Sequence, residues 1–337
     1  MRILVLGGSV FLGRAVVEEA LRQGHDVTTF NRGRSGEDLP GVTAVRGDRE
    51  VPEDLAALAA GGEWDAVVDL CGFTPKVVAA SARALSGRAA TYAYVSSISA
   101  VSTWPAERVD ESAPLWECSP DAGPEDGDYG VLKAGCERAV ERYFDGEALN
   151  LQPGLILGPW ENVGRLPSWL RRVSRGGRVL APGDPDRPMQ LIDARDIAAF
   201  TVDLAAKGTG GRFLLTGPAG NTTFGRWLAD MIEVTGADTE LVWVEDRFLL
   251  DRDVEPWTEL PLWVPSAPDS EGTWNVSVAK AEAAGLRCRP VAETVRDTWD
   301  WYKDRDHDAL ARRLPSWGRH GIAPDKEAEI LAAWDAR

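Results

Sequence analysis

Apolar residues arrive in short runs separated by stretches of helical spacing, and that rhythm organises the first half of the chain. Ile3 to Leu6 is an unbroken apolar run, as in a parallel strand buried on both faces. Ala15, Val16, Ala20 and Leu21 follow at helical spacing, Gly24 ends that helix, and Val27 to Phe30 forms the next strand. Thr43 to Val45 fits a third strand, Leu55 to Ala60 a helix, Ala66 to Leu70 a fourth strand, Val77 to Leu85 a helix and Thr91 to Ser96 a fifth strand. A helix over Tyr129 to Tyr143 precedes a sixth strand, Leu149 to Gln152. Strands alternating with helices imply an α/β chain with a doubly wound parallel sheet.

After Pro153 the alternation weakens, and Pro, Gly and Trp become frequent. Ala181-Pro182-Gly183-Asp184-Pro185 reads as a turn-rich loop. Gln190 to Ile192 then reads as a strand with Asp196 to Leu204 as a helix behind it, a pair that returns to the first domain. The expected organisation is a sheet domain of residues 1–152 plus about 187–211. A smaller, discontinuous α+β domain takes about 153–186 and 212–337.

Composition bounds the class. The chain has 337 residues, 44% of them apolar, enough for a large core and one or two domains. No apolar run reaches the roughly 18–20 residues of a membrane span. The opening Met1-Arg2-Ile3-Leu4-Val5-Leu6-Gly7 is too quickly broken for a signal peptide. A cytoplasmic, soluble protein is expected. The formal charge of −16 repels nucleic acid and anionic membranes. Cys71, Cys118, Cys136 and Cys288 lack metal-ligand spacing and His25, His307 and His320 are scattered, so no metal or disulfide framework is expected. Arg171, Arg172, Arg175 and Arg178 cluster, which reads as a solvated helix face or as a recruiter of anions.

Three features carry chemistry. A glycine-rich turn, Gly7-Gly8-Ser9-Val10-Phe11-Leu12-Gly13, follows the first strand. Gly7 permits a tight turn, Gly13 permits close packing of the helix on the sheet, and a diphosphate could then meet backbone N–H groups at the helix N-terminus. Ser96-Ser97 ends the fifth apolar run. Tyr129 and Lys133 sit four apart on one helix face. There an ammonium can stabilise a phenolate, bring the tyrosine toward neutrality and make it a general acid or base for a carbinol–carbonyl interconversion.

In order, Gly7-Gly8-x-x-Phe11-Leu12-Gly13, Tyr94-Val95-Ser96-Ser97, Tyr129-x-x-x-Lys133 and Pro153-Gly154-x-Ile156-x-Gly158-Pro159 resemble the extended short-chain dehydrogenase/reductase family, also called the NAD-dependent epimerase/dehydratase family. The likeness extends to Pro188-Met189-Gln190-Leu191-Ile192-Asp193-Ala194-Arg195-Asp196 and covers most of the chain. It implies an N-terminal Rossmann domain, a smaller C-terminal substrate domain and a nicotinamide dinucleotide between them. The catalytic set it implies is Ser97, Tyr129 and Lys133, with Ser99 as the second candidate for the serine. Lys133 would also hold the nicotinamide ribose, and Ser97 would polarise the substrate oxygen. The cofactor set is Gly7, Gly8, Ser9, Val10, Phe11, Leu12, Gly13, Asn31, Arg32, Arg34, Asp48, Arg49, Leu70, Cys71, Gly72, Lys133, Pro153 and Gly154. Asp48, with Arg49 alongside, would accept from the adenine amino group, although Gly47-Asp48 equally suits a turn or a helix cap. Cys71 reads as a wall residue rather than a nucleophile.

Two departures stand out. Val10 replaces the middle glycine, making this an atypical glycine-turn variant, and Gln152-Pro153 stands where the family commonly shows Arg-Pro, so the ion pair of that arginine is missing. At the end of the second strand Asn31 replaces the carboxylate of an NAD-preferring site, and Arg32 and Arg34 offer cations to a 2′-phosphate. NADP is therefore the expected cofactor, with NAD as the alternative. Trp104, Trp116, Trp160 and Trp169 fall in segments that border the substrate cleft in the family, and Arg165, Arg187 and Arg195 are candidates for an anionic substrate group. The expected activity is NADPH-dependent reduction of a carbonyl or related group in a small metabolite. Alternatives are a nucleotide-sugar epimerase or dehydratase with retained NAD and, from another class, a non-catalytic RNA- or nucleotide-binding member, which the charge of −16 opposes. The partner is a small-molecule substrate, with no nucleic acid and no membrane, and a homodimer is possible.

Overall fold

The structure is a computed structural model and describes residues 1–313, 316 and 319–337. The chain begins β1 (Arg2–Leu6), α1 (Phe11–Arg22), β2 (Asp26–Asn31), β3 (Thr43–Arg46), α2 (Pro52–Gly61), β4 (Ala66–Asp69), α3 (Pro75–Leu85), β5 (Thr91–Val95), α4 (Tyr129–Tyr143) and β6 (Glu147–Pro153). It continues β7 (Leu155–Leu157), α5 (Arg165–Val173), β8 (Gly177–Pro182), β9 (Pro188–Met189), β10 (Leu191–Asp193), α6 (Ala194–Ala206), β11 (Gly211–Leu215), β12 (Thr222–Thr223) and α7 (Phe224–Thr235). β13 (Thr239–Val244), α8 (Asp246–Leu250), α9 (Ala279–Ala284), α10 (Val291–Tyr302), α11 (His307–Arg313) and α12 (Pro324–Asp335) complete it. Among the described residues no helix is long and apolar enough to cross a membrane.

Seven strands form one parallel sheet in the order β11-β6-β5-β4-β1-β2-β3. The α/β doubly wound reading is met. Ile3, Leu4, Val5 and Leu6 are fully buried, as are Ala66, Val67 and Val68, because helices cover both faces of the sheet. On one face α1 packs against α6, with Val16, Val17 and Ala20 meeting Ile197 and Val202 in one cluster. On the other, α3 packs against α4, and Val78 and Ala82 join Tyr92, Tyr94 and Val140. Strand order reverses between β1 and β4, so their carboxyl ends open the crevice where ligands settle in such sheets.

The second core gathers α5, α7, α10 and the parallel pair β8–β13 around Trp169, Trp227 and Trp263. Its rings meet edge to face, as in Phe224–Trp227 at 5.6 Å and Trp169–Phe224 at 5.9 Å. Charges join the two cores: Arg195 pairs with Asp193 at 2.7 Å and with Asp297 at 2.5 Å, and Arg289 with Asp196 at 2.8 Å. One boundary moves. The sequence closes the return segment near residue 211, but Gly211–Leu215 is β11, paired in register with β6 from Leu149 to Pro153. A run that alternates little and follows Gly210 gives no sequence cue that it belongs to the main sheet.

Candidate functional site

The cleft starts at the turn after β1. Gly7 and Gly8 take φ of +106° and +93°, open to glycine at little cost. A Cβ on Gly8 would lie 3.0 Å from Val17 Cγ2 and 3.2 Å from Thr29 Cγ2, so that position also has no room. The sequence expectation that Gly13 lets the helix pack closely on the sheet needs correction. A Cβ there would sit 3.0 Å from the Gly8 nitrogen, so Gly13 lets the first turn of α1 close on the glycine turn itself. Val10 precedes α1 with φ of −134°, extended backbone that any residue adopts, and its side chain packs on the α1–α6 cluster. The strained backbone falls on the next residue, Phe11, at φ of 43°. Gly13 and Arg14 donate back to the Val10 carbonyl at 2.9 and 3.3 Å. By helix geometry the preceding N–H groups have no intrahelical partner.

Beside the turn, the Asn31 amide is an organiser. Its Nδ2 donates to the Gly7 carbonyl at 3.4 Å and to Asp38 Oδ1 at 3.1 Å, while its Oδ1 accepts from Gly33 N at 2.8 Å and Arg46 Nη1 at 3.1 Å. Arg46, unnoticed in the sequence, forms an ion pair with Asp38. Arg32 and Arg34 line the cleft. Arg32 lies 3.6 Å from Asp48, and Arg34 has no ion-pair partner among the described residues.

Arg49 lines the same space, but its guanidinium is spent beneath it. It clamps Asp69 through two hydrogen bonds of 2.7 Å, donates to Ser81 Oγ at 2.8 Å, and touches Cys71 Sγ at 3.4 Å. Burial alone would push the Asp69 carboxyl up; the charge and hydrogen bonds of Arg49 overcome this and hold it below the ordinary carboxylate range. The Arg49 guanidinium is therefore not free for the role beside the adenine that the resemblance implies. Leu70 and Cys71 line the cleft, where the site of a Cβ on Gly7 lies 3.7 Å from Cys71. Burial raises the Cys71 thiol, in keeping with a wall residue. Gly72 is a packing glycine, since a Cβ would meet Val78 Cγ2 at 2.6 Å.

At the end of β5 successive side chains part, as alternation on a strand requires. Ser96 turns inward and donates to Glu137 Oε1 at 2.5 Å. Ser97 turns to the cleft and accepts from Ser99 N at 3.1 Å, and Ser99 also lines the cleft. Tyr129 opens α4 at the cleft rim, and Lys133, one turn later, is buried. Ser97, Tyr129 and Lys133 thus share one space with the glycine turn.

The electrostatics differ from the expected Tyr–Lys coupling. The three donors of the Lys133 ammonium are all used, on Gly72 O, Tyr94 OH and Val95 O, each at 2.9 Å. Its nitrogen lies 5.9 Å from the Tyr129 ring centroid. Burial pushes Lys133 down to about 8, and the nearby Cys136, Asp69 and Glu137 resist that fall. Tyr129 is raised rather than lowered, by burial, against a hydrogen bond from Ser97 and the charge of Arg165. The residue is 52% exposed at the rim, so water tempers the rise. The cation felt at this phenol is Arg165, not Lys133.

Behind Lys133, at helical spacing on the same face, lies Glu137, which the sequence reading passed over. It is fully buried and accepts from Ser96 and, at 2.8 Å, from Gln152 Nε2. Gln152 occupies the place expected of an arginine, so Glu137 has no ion pair among the described residues, and burial pushes its carboxyl up to about 7.

Pro153 and Gly154 lead the chain past the cleft into its substrate half, walled by Trp104, Asn162, Arg165 and Trp257. The whole cleft encloses about 1030 Å³. Of the four tryptophans singled out by sequence, Trp104 lines it. Trp116 is 41% exposed and donates to Ser99 O at 3.2 Å. Trp160 is held between Arg14 and Arg305, at 4.1 and 4.5 Å, and Trp169 is buried in the second core. Of the three arginines, Arg187 is tied to Asp246 at 2.9 Å and Arg195 to Asp193 and Asp297, which leaves Arg165.

A family model, the NAD dependent epimerase/dehydratase family, matches residues 3–215. Among curated proteins the chain is similar to a 2'-dehydrokanamycin reductase of Streptomyces kanamyceticus, 30% identical over 214 residues, 61% of this chain and 58% of that protein. It is also similar to a 2-alkyl-3-oxoalkanoate reductase of Stenotrophomonas maltophilia (strain K279a), 29% identical over 222 residues, 59% of this chain and 64% of that one. The chain thus spans under two thirds of the length of either relative. Among solved structures the fold matches the Bordetella bronchiseptica enzyme WbmH in complex with NAD+, with a TM-score of 0.67 at 16% identity, covering 90% of this chain and 98% of that one.

Proposed function

The chain belongs to the NAD dependent epimerase/dehydratase family, and we propose that within it this protein is an NADPH-dependent reductase of a ketone in a small metabolite. The observation that carries the proposal is that Ser97, Tyr129 and Lys133 line one cleft together with the glycine turn. Both curated relatives are named as reductases, which favours net reduction over internal hydride recycling.

The residues present fit a nicotinamide dinucleotide. Gly7 leaves room beside the Cys71 wall of the cleft, the start of α1 offers backbone N–H groups, and the cleft that they line also takes in Tyr129. Gly7 to Gly13 would hold the diphosphate, Asp48 the adenine end, and Pro153 and Gly154 the nicotinamide end, joined by Lys133 on exchange of one of its three present hydrogen bonds. When bound, that cofactor supplies or removes a hydride at the substrate carbon. The preference for a 2′-phosphate is supported by donor chemistry. Asn31 brings no negative charge, Asp38 is neutralised by Arg46, and Arg34 lacks a carboxylate partner among the described residues.

This chain's own residues do the rest. Ser97 donates a hydrogen bond to the substrate carbonyl oxygen and fixes its position. Tyr129 donates its phenolic proton to that oxygen as it gains charge, and is reprotonated from solvent at the open rim. Lys133 fixes the Gly72 and Val95 backbone at the floor of the site, and the charge that favours the phenolate once Tyr129 has given up its proton is that of Arg165.

Calorimetric titration with NADPH and NADH, after assay of the denatured supernatant for carried nucleotide, tests the reading. Tight NADPH binding to an initially empty protein is expected, together with loss of at least about 100-fold in turnover for Tyr129→Phe at unchanged NADPH affinity. Retained NAD would shift the assignment to an epimerase or dehydratase, and near-full activity of Tyr129→Phe would remove the tyrosine from the mechanism.

A further inference from the structure

We propose that Arg46 is a specificity-determining residue of the cofactor end of the cleft: by pairing with Asp38 it cancels a carboxylate that the loop after β2 folds back beside the glycine turn, and so admits a 2′-phosphate. The inference rests on the NADPH reading and adds to it the charge that sets the preference.

The loop of residues 32–38 leaves β2 and returns to it. Near its start, Gly33 N donates to Asn31 Oδ1 at 2.8 Å. At its end, Asp38 Oδ1 accepts from Asn31 Nδ2 at 3.1 Å and from Thr29 Oγ1 at 3.3 Å, which sets the carboxylate beside the last residues of β2. Between them Gly36 lies on the glycine turn, since a Cβ there would sit 2.5 Å from Ser9 O. The Asn31 amide itself has nothing left for a cofactor. Both its N–H groups are spent, on Gly7 O and Asp38, and both lone pairs of its oxygen are taken, by Gly33 N and Arg46 Nη1. The acid missing from position 31 is thus replaced by one in the layer behind it, Asp38.

Left bare, a carboxylate at the end of this strand favours ribose hydroxyls and repels a 2′-phosphate. Arg46 prevents that. It is the last residue of β3 and stands opposite Asn31 in the strand register, so the sheet delivers its cation to this spot. Its Nη1 donates to Asp38 Oδ1 at 3.2 Å and to Asn31 Oδ1 at 3.1 Å, and Nη2 completes a fork on Asp38 Oδ2. These hydrogen bonds hold the Asp38 carboxyl below the ordinary carboxylate range, so the pair is an ionised one. The guanidinium also lies against the loop, where a Cβ on Gly33 would sit 2.9 Å from Arg46 Nε. Arg32 and Arg34, on either side of Gly33, line the cleft. With Asp38 cancelled, their charge is not opposed from behind. Arg46 is 49% exposed, so water and salt limit the effect to a modest factor.

The test is calorimetric titration of wild type, Asp38→Asn, Arg46→Gln and the double variant with NADPH and with NADH, and it needs no substrate. The quantity read is the Kd for NADH divided by the Kd for NADPH. Arg46→Gln bares the carboxylate and is expected to lower this ratio at least about threefold, chiefly by weakening NADPH. Asp38→Asn keeps the shape and an acceptor for Arg46 but frees its positive charge, and is expected to raise the ratio by a similar factor. The double variant, with both charges gone, should return close to wild type. Loosening of the loop alone would move both single variants the same way. That result, equal weakening of the two nucleotides in either variant, no rise in the ratio for Asp38→Asn, or failure of the wild type to bind either nucleotide would each overturn the proposal. NADH binding by each variant verifies that it is folded. The wild-type ratio by itself decides the NADPH preference, whereas the opposite movement of the two variants decides the role of Arg46, so the two readings fail separately.

Discussion

Replacing Glu137 with Gln isolates a buried charge behind the proposed catalytic helix. The wild-type carboxyl accepts from Ser96 and Gln152 through one oxygen, and the other oxygen is buried without a partner. No cation is within ion-pair distance among the described residues, so burial dominates and pushes the carboxyl from an ordinary 4.5 up to about 7. An acid raised in the folded state holds its proton there while the unfolded chain has released it. Its contribution to stability is therefore complete below 4.5 and is lost as pH climbs through about 7. The rise from 4.5 to about 7 corresponds to about 3 kcal/mol over the full range, most of it between pH 5 and pH 8.5. Gln keeps the shape and the acceptor but cannot ionise. Urea unfolding at those two pH values should show Glu137→Gln gaining on the wild type by about 2–3 kcal/mol on going to the higher pH. A difference between the two proteins that stays constant across that interval would refute the account. The same change removes a charge that supports the Lys133 ammonium, so Lys133 should titrate below its about 8 and move the basic limb of any turnover–pH profile to lower pH.

Three further outcomes follow from particular contacts. Asp69→Ala strips the clamp from the buried Arg49 and should cost about 3–5 kcal/mol in urea unfolding, as for other buried pairs broken from one side. Gly8→Ala meets both a φ of +93° and a 3.0 Å contact, whereas Gly24→Ala meets a φ of +78° with open space. Melting should show the first costing about 1–3 kcal/mol more than the second. Arg32→Ala should weaken NADPH by about tenfold, the worth of one charge-assisted contact, and leave NADH nearly unchanged. Equal weakening of both would end the argument for a 2′-phosphate site.

The alternation of strand and helix was legible because a parallel strand covered on both faces has to be apolar throughout, as in Ala66, Val67 and Val68. Tyr129 and Lys133 were legible because helix spacing is local. What surrounds them was not. Lys133 is anchored by Gly72 and Val95, at the ends of two strands that only the sheet brings together. Arg49 follows Asp48 in the chain, yet its charge belongs to Asp69, a pairing decided by strand order rather than by sequence distance. Glu137 carried a usable signal, its position four residues after Lys133, but its meaning depends on the Gln152 of a neighbouring strand. Trp257 reaches the cleft from far along the chain, and nothing local to it announces the fact. Of the candidate arginines, only the positions of Asp246, Asp193 and Asp297 separate Arg187 and Arg195 from Arg165.

The pairing of β11 with β6 has a bearing on how the protein is made. α1, which carries the glycine turn, rests on α6, and Gln23 is bonded to Asp203 from 180 positions away. The sheet gains its last strand only with Leu215. A ribosome therefore delivers the glycine turn first and its buttress much later, after α5 and β8 of the other core have already emerged. Until then the face of α1 that α6 covers is open to chaperones and to neighbouring nascent chains. Arrested nascent chains should exert no folding pull attributable to this sheet before residue 215 has cleared the exit tunnel, so that synthesis of the seven-stranded sheet and its maturation are separated in time.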